Sequence, residues 1–277
     1  MSVRPRAAEI TPLRLAVYYT VALVWFFPLL WMISKTFTPA ADILGKARQF
    51  FPTTPTLENL QAVWNNWPFA TWLVNSFIVT VCAVAISLVV ALFAGFSFAR
   101  LRWPGRDIVF LMFLAGMFIP WEVNAIPLYF IMNKFGLLNT YPGLFLPMTA
   151  MPVGLFLLRQ FFINIPKEVE EAARVDGCGS LGVLLRILVP MTLPALGALA
   201  IFVFLFSWNE FFWSLICLQG SKRLTVPIGL KMIMGAQNIE YGLLFGASFL
   251  AMMPSLVVFL LLRRQIIRGI SITGMIK

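Results

Sequence analysis

Leu73-Val-Asn-Ser-Phe-Ile-Val-Thr-Val-Cys-Ala-Val-Ala-Ile-Ser-Leu-Val-Val-Ala-Leu-Phe-Ala-Gly-Phe-Ser-Phe-Ala99 contains no charged residue. A bilayer's hydrocarbon core, about 30 Å thick, is crossed by about 20 apolar residues of helix, so this stretch spans it with tilt. Five further runs flank it: Leu15 to Ile33, Ile108 to Met132, Gly143 to Leu158, Ala195 to Leu218 and Tyr241 to Leu262. Pro28 predicts a kink in the first. Pro120, Glu122 and Pro127 interrupt the third. The fourth contains Pro147 and Pro152 and extends past Arg159 through Phe161-Phe162, and the fifth carries a single acid, Glu210. With 277 residues, 60% hydrophobic and 12% charged, and a mean hydropathy of +0.89, the chain has no room for a large separate soluble domain. The expectation is an all-α integral membrane protein of six transmembrane helices.

The net charge of +10 would suggest nucleic acid in a soluble protein, but here basic residues are expected at helix ends, where they set orientation, and no nucleic-acid partner is implied. Arg4, Arg6 and Arg14 precede the first run, Arg100, Arg102 and Arg106 follow the second, Arg159, Lys167, Arg174 and Arg186 follow the fourth, and Arg263, Arg264, Arg268 and Lys277 close the chain. The opposite face holds half as many: Lys35, Lys46, Arg48, Lys134, Lys222, Arg223 and Lys231. Both termini are therefore expected in the cytoplasm. A seven-span count, with a re-entrant break after Pro120, would flip one end. Ser34-Lys35-Thr36 offers no small-x-small cleavage site, so the first run is expected to be retained.

The composition also limits the chemistry. There is no His, and Cys82, Cys178 and Cys217 lie far apart, which argues against a His–Cys metal site, a Ser–His or Cys–His pair and a disulfide framework. The only Gly-Lys pair, Gly45-Lys46, runs into Ala47, so no phosphate-binding loop is present. No cofactor is expected in this chain, and any ATP and Mg used would be bound by a partner.

Between the fourth and fifth runs lies Pro166-Lys-Glu-Val-Glu-Glu-Ala-Ala-Arg-Val-Asp-Gly-Cys-Gly-Ser-Leu-Gly-Val-Leu-Leu-Arg-Ile-Leu-Val-Pro190. It reads as two short helices and a sharp turn. Pro166 suits a first helical turn, and Glu168, Glu170 and Glu171 complement the positive end of the helix dipole. Gly177 supplies a left-handed residue, Ser180 is placed to cap the second helix, and Leu181, Leu184, Leu185 and Leu188 fall on one helical stripe. Such a pair could be a docking element for a cytoplasmic motor, or an amphipathic hairpin on the headgroups.

Glu171-Ala172-Ala173, Gly177, Ile187 and Val189-Pro190, at these spacings, resemble the EAA loop of inner-membrane permeases in binding-protein-dependent ABC importers, with Val189 where Leu is usual. The resemblance narrows to carbohydrate permeases similar to the second membrane subunit of the maltose transporter. It runs through Pro55-Thr-Leu-Glu-Asn59, Asn75-Ser76, Arg100-Leu-Arg-Trp-Pro-Gly105, Gly136-Leu-Leu-Asn-Thr140, Ser207-Trp-Asn-Glu210 and Arg263-Arg-Gln-Ile-Ile-Arg-Gly269. It implies that Glu171, Ala172, Ala173, Asp176 and Gly177 meet the ATPase subunit, and that the tail with Gly274 and Lys277 reaches it too. The tail lacks the double Gly sometimes seen there, and a basic end anchoring the last span at the anionic leaflet is the alternative. Implied partners are a second permease, an ATPase dimer, an extracytoplasmic solute-binding protein and the lipid bilayer. The corresponding divisions are 1–14 (cytoplasmic tail), 15–34 (first span), 35–70 (outer loop), 71–264 (permease core, with the coupling loop at 166–190) and 265–277 (cytoplasmic tail).

Charges inside the membrane are costly and mark wet cavities or partners. Along straight helices, Glu122 and Glu210 would each stand about 22–24 Å from the cytoplasmic end of their span. With Asn124, Trp208 and Asn209 they are candidate lining for a sugar path, amides bonding hydroxyls and Trp covering an apolar sugar face. Glu122 in an outer loop and Glu210 as a structural link between helices are the plainer readings. In the last span, Gly242-x-x-x-Gly246 predicts close helix packing, within the chain or against a second permease. The function expected is import of a sugar or oligosaccharide by a non-enzymatic permease subunit. A glycerol-phosphate or other polyol importer is the alternative within the class, and a gradient-driven secondary transporter is the alternative outside it.

Overall fold

The computed structural model describes residues 11–45, 49–220, 222–236 and 240–274, and every regular element among them is helical. They fall into two units, one running to Trp67 and resuming over Ile233–Leu250, the other covering Pro68–Met232 and the residues from Ala251 onward. In the first unit α1 (Pro12–Thr36) starts on Pro12, whose missing N–H is no loss in a first turn, and carries Pro28 internally. The short helices α2 (Ala40–Gly45) and α3 (Glu58–Asn66) follow. Asn59 on α3 donates from Nδ2 to the carbonyls of Thr36 (2.9 Å) and Thr38 (2.7 Å), closing the open end of α1.

In the second unit α4 (Phe69–Arg100) is the uninterrupted apolar helix expected from its sequence. The third run breaks: α5 (Arg106–Gly116) ends before Pro120, a single 3₁₀ turn covers Trp121–Asn124, and α6 (Ala125–Lys134) leaves at 102°. Pro120 has no N–H to continue the ladder and disfavours helical backbone before it. The expected depth of Glu122, which assumed a straight helix, does not survive this bend. The fourth run is bent by 45° between α7 (Tyr141–Phe145) with its 3₁₀ extension to Met148 and α8 (Pro152–Asn164). The coupling-loop helix α9 (Lys167–Val175) and α10 (Ser180–Gly182) precede a π-helical turn, Val183–Leu188, that runs directly into α11 (Val189–Trp208). After α12 (Phe212–Cys217) come α13 (Val226–Met234) and α14 (Tyr241–Gly274). Among the described residues, four helices are long and apolar enough to cross a membrane, and the count reaches six when each bent pair is one span.

Helices in lipid gain little from apolar burial against one another and associate through close contact, which small residues permit. On α4, a Cβ at Gly95 would stand 2.7 Å from Leu158 Cβ and 3.1 Å from Arg159 N of α8. On α8, a Cβ at Gly154 would meet Ala91 and Leu199 at 3.3 Å. Leu158, Phe162 and Val203 are fully buried around this contact. Polar side chains close the backbone freed at breaks, as a lipid environment requires: Ser87 donates to Met148 O at 3.1 Å, Asn75 to Leu224 O at 2.8 Å, and Ser76 Oγ accepts the Val226 N–H at 2.8 Å. In the first unit Gly242 and Gly246 both face Asn59, a Cβ at Gly246 standing 3.0 Å from its carbonyl oxygen. The small-residue motif serves packing within the chain.

Candidate functional site

Helix α9 begins directly after Pro166, which occupies the cap rather than the first turn. It ends in a Schellman motif: Gly177 has φ +84°, its N–H donates to Arg174 O at 3.0 Å, and the Cys178 N–H reaches Ala173 O at 2.9 Å. Glu168, Glu171, Ala172 and Val175 are exposed at i, i+3, i+4 and i+7, continued by exposed Asp176 and Gly177. Val175 is 88% exposed; sequence reading passed it over, although a valine three residues after Ala172, on the same face of a charged helix, is the available signal. Ala173, named with the exposed residues in the expected contact set, is instead buried against the core on the opposite face.

Two further expectations about this loop are corrected. Ser180 opens α10 and makes no capping hydrogen bond; Gly179 holds the cap position. The leucine stripe is split, with Leu184 and Leu188 buried and Leu181 and Leu185 exposed. The π turn is the reason, since its wider coil aligns residues five apart, and Val183 and Leu188 are both fully buried.

The inner face of α9 is fixed by a charge pair. Glu170 meets Arg100 Nε at the end of α4, both side chains being over nine-tenths buried. Arg100 Nη2 also donates to Ile165 O at 2.7 Å. Arg159 of α8 donates to Phe98 O at 3.3 Å and lies 4.0 Å over the Phe110 ring. The exposed stripe is thus borne by a helix whose back is tied to the end of α4 by the Glu170–Arg100 pair, while Arg100 and Arg159 join α4 to α8 and the residue that ends it.

The second cluster gathers at the helix breaks. Glu210 sits between α11 and α12, and its Oε1 accepts the Trp213 N–H (2.9 Å) and, more weakly, Trp121 Nε1 (3.4 Å). Trp213 in turn donates from its ring to Gly143 O at 2.9 Å. One carboxylate therefore joins the breaks of the third and fifth runs, and Glu122 lies close enough to interact with it electrostatically. Glu210 is buried, as is Trp208, whose ring packs between Phe77 and Phe204 and whose Nε1 donates to Ala251 O at 3.0 Å. Trp208 has no face open for a sugar, contrary to the expectation of stacking. Glu122 and Asn209 are exposed and Asn124 is half-buried. Glu210→Ala is expected to cost about 1–3 kcal/mol by orphaning the buried Trp213 N–H and the half-buried Trp121 indole, whereas Glu210→Gln keeps an acceptor and most of the stability. Thermal unfolding in detergent measures the difference, and equal stability of both variants with wild type would remove the linking role.

At the far end, Gly274 is the last residue of α14, and Lys277 lies outside the described residues.

Residues 87–271 match the family described as binding-protein-dependent transport system inner membrane component. The arabinooligosaccharides transport system permease protein AraQ of Halalkalibacterium halodurans is 33% identical over 257 residues, 92% of each chain. The diacetylchitobiose uptake system permease protein DasC of Streptomyces coelicolor is 34% identical over 253 residues, 91% of each. A chain of a bacterial ABC transporter that imports the acidic polysaccharide alginate has the same fold, with a TM-score of 0.81 at 21% identity, over 95% of this chain and 99% of that one. The helical architecture, the loop on α9 and this similarity along nearly the whole chain lead to one assignment: the chain belongs to the binding-protein-dependent transport system inner membrane component family.

Proposed function

We propose that this chain is a permease subunit of an ATP-driven importer for an oligosaccharide, working with a second permease, two copies of an ATPase and an extracytoplasmic binding protein. The observation that carries the reading is the exposed stripe Glu168, Glu171, Ala172 and Val175, held by Gly177 at one end and backed by the Glu170–Arg100 pair. It offers two acids and two apolar side chains, Ala172 and Val175, to a cleft of opposite character, on the face that the Lys/Arg bias assigns to the cytoplasm. The oligosaccharide class is supported by AraQ and DasC, whose names specify arabinooligosaccharides and diacetylchitobiose. Neither is a phosphorylated polyol, so the sugar reading is preferred to glycerol phosphate.

In this mechanism, ATP-driven closure of the motor carries α9 with it. Ala173, Val183 and Leu184 are buried against the core and Arg100 is the last residue of α4, so the displacement passes into α4 and α8 and tilts the path between its two openings. Such a switch requires the motor to bind the two arrangements with different affinity. Glu122, Asn124 and Asn209 line the path, and Glu210 and Trp208 support its wall from behind. Gly274, Lys277 and the rest of 265–277 add a second contact with the ATPase.

The test is to tag the C-terminus, extract in mild detergent and identify what co-purifies. An ABC ATPase and a second permease are expected. Val175→Glu, which puts a charge on the stripe's largest exposed aliphatic side chain, should lower ATPase recovery about tenfold while the second permease stays bound. A lone oligomer that moves solute into liposomes without ATP would replace this reading with a gradient-driven one.

A further inference from the structure

The end of α4, the loop after it, the last turn of α8 and α9 enclose a crevice of 530 Å³. Six cations line it, Arg100, Arg102, Arg106, Arg159, Lys167 and Arg174, against two acids, Glu170 and Glu171. Three of the cations are engaged: Arg100 with Glu170, Arg106 with Asp107 at 3.1 Å, and Arg159 with the Phe110 ring and, at 3.9 Å, with Asp107. Arg102, Lys167 and Arg174 are exposed and form no ion pair among the described residues. With Glu171 as their one unpaired counter-charge in the crevice, they leave it positive.

An apolar cavity of 110 Å³ between α4, α5, α8 and α11 shares a wall with this crevice, since Phe98 lines both. Phe98 packs edge-on against Phe113, which lines the apolar side as well. Helix α5 presents exposed Ile108, Leu111 and Met112 next to the same loop, an apolar surface along which an acyl chain could lie. A soluble anion would use the cations alone, whereas an anion with a hydrocarbon tail would use both sides of Phe98.

We infer that the crevice binds the phosphate headgroup of an anionic phospholipid, with an acyl chain lying toward Phe98 and Phe113. Arg102, Lys167 and Arg174 supply the phosphate contacts. Lys167 and Arg174 belong to α9, so the headgroup braces the coupling helix against the end of α4. That consequence rests on the proposed role of α9, while the binding itself needs only a chain embedded in a bilayer.

Native mass spectrometry of the full chain, purified in neutral detergent with any subunits that accompany it, tests the site. The probes are phosphatidylglycerol, phosphatidylcholine and inorganic phosphate. Retention of phosphatidylglycerol over phosphatidylcholine is expected. The combined variant Arg102→Gln, Lys167→Gln and Arg174→Gln should lower that retention about tenfold or more, each basic residue near an anionic surface being worth several-fold in affinity. The combined control Lys134→Gln, Lys222→Gln and Lys231→Gln removes the same charge elsewhere and should leave retention unchanged. Equal losses in both variants, or equal retention of both lipids, would overturn the inference. Displacement of phosphatidylglycerol by inorganic phosphate would assign the crevice to a soluble phosphate and overturn the lipid source. If the crevice variant fails to fold, the two lipids and inorganic phosphate compared on the wild-type chain still decide.

Discussion

Gly177→Val is expected to insert and fold in the membrane yet lose transport by about tenfold or more, with ATP hydrolysis no longer responding to loaded binding protein. A Cβ at Gly177 would meet nothing within 4 Å, so the effect does not come from a clash. It comes from the backbone: at φ +84° an L-residue pays about 1–2 kcal/mol, and a β-branched one is a genuine outlier. Relief requires rotating out of the left-handed region, which breaks the Gly177 to Arg174 and Cys178 to Ala173 bonds and redirects the chain between α9 and α10. The exposed stripe then meets its partner at a changed angle, while the long apolar helices α4 and α14, far from Gly177 in the chain, keep their own hydrogen bonds. Gly177→Asn is the matching control, because asparagine visits this region more readily, and it should retain most transport. Wild-type uptake by the valine variant would show that the turn is not what positions the contact.

The second large effect is at Arg100. Arg100→Ala is expected to lower stability by about 3–5 kcal/mol, because it leaves the Glu170 carboxylate buried without its counter-charge. The Ile165 carbonyl loses its donor at the same time. Glu170→Ala should be comparably harmful for the reciprocal reason. The combined Arg100→Met and Glu170→Leu variant removes both charges, keeps apolar volume and should recover most of the thermal stability lost in either single change. Recovered stability without recovered transport would separate two roles of the pair, holding the fold and transmitting motion from α9 to α4. If both single variants unfold at the wild-type temperature, the pair is not energetically important.

Glu210 illustrates how a site residue can be visible in a sequence while its role is not. One acid in an apolar run is conspicuous, and its cost in lipid predicts a wet cavity or a partner. The partners turn out to be the Trp213 N–H in the next short helix and the Trp121 indole, 89 residues away in sequence. Nothing in local periodicity brings Trp121 to Glu210; the breaks of two separate runs do. Trp208 follows the same logic, since its neighbours Phe77 and Ala251 come from distant helices and only their arrival buries the ring.

The sequence by itself determined the membrane class, the helical content, the break at Pro120 and the left-handed turn at Gly177. Each follows from an intrinsic property of a residue: the cost of charge in hydrocarbon, the missing N–H of proline, the missing Cβ of glycine. The tertiary structure alone decided the 102° bend between α5 and α6 and which alanine of Glu171-Ala172-Ala173 faces outward. It likewise decided that a π turn splits the leucine stripe and that Arg100 is the counter-charge of Glu170. These depend on which surfaces meet, and contacts between residues far apart in the chain leave no periodic trace in the segments that make them.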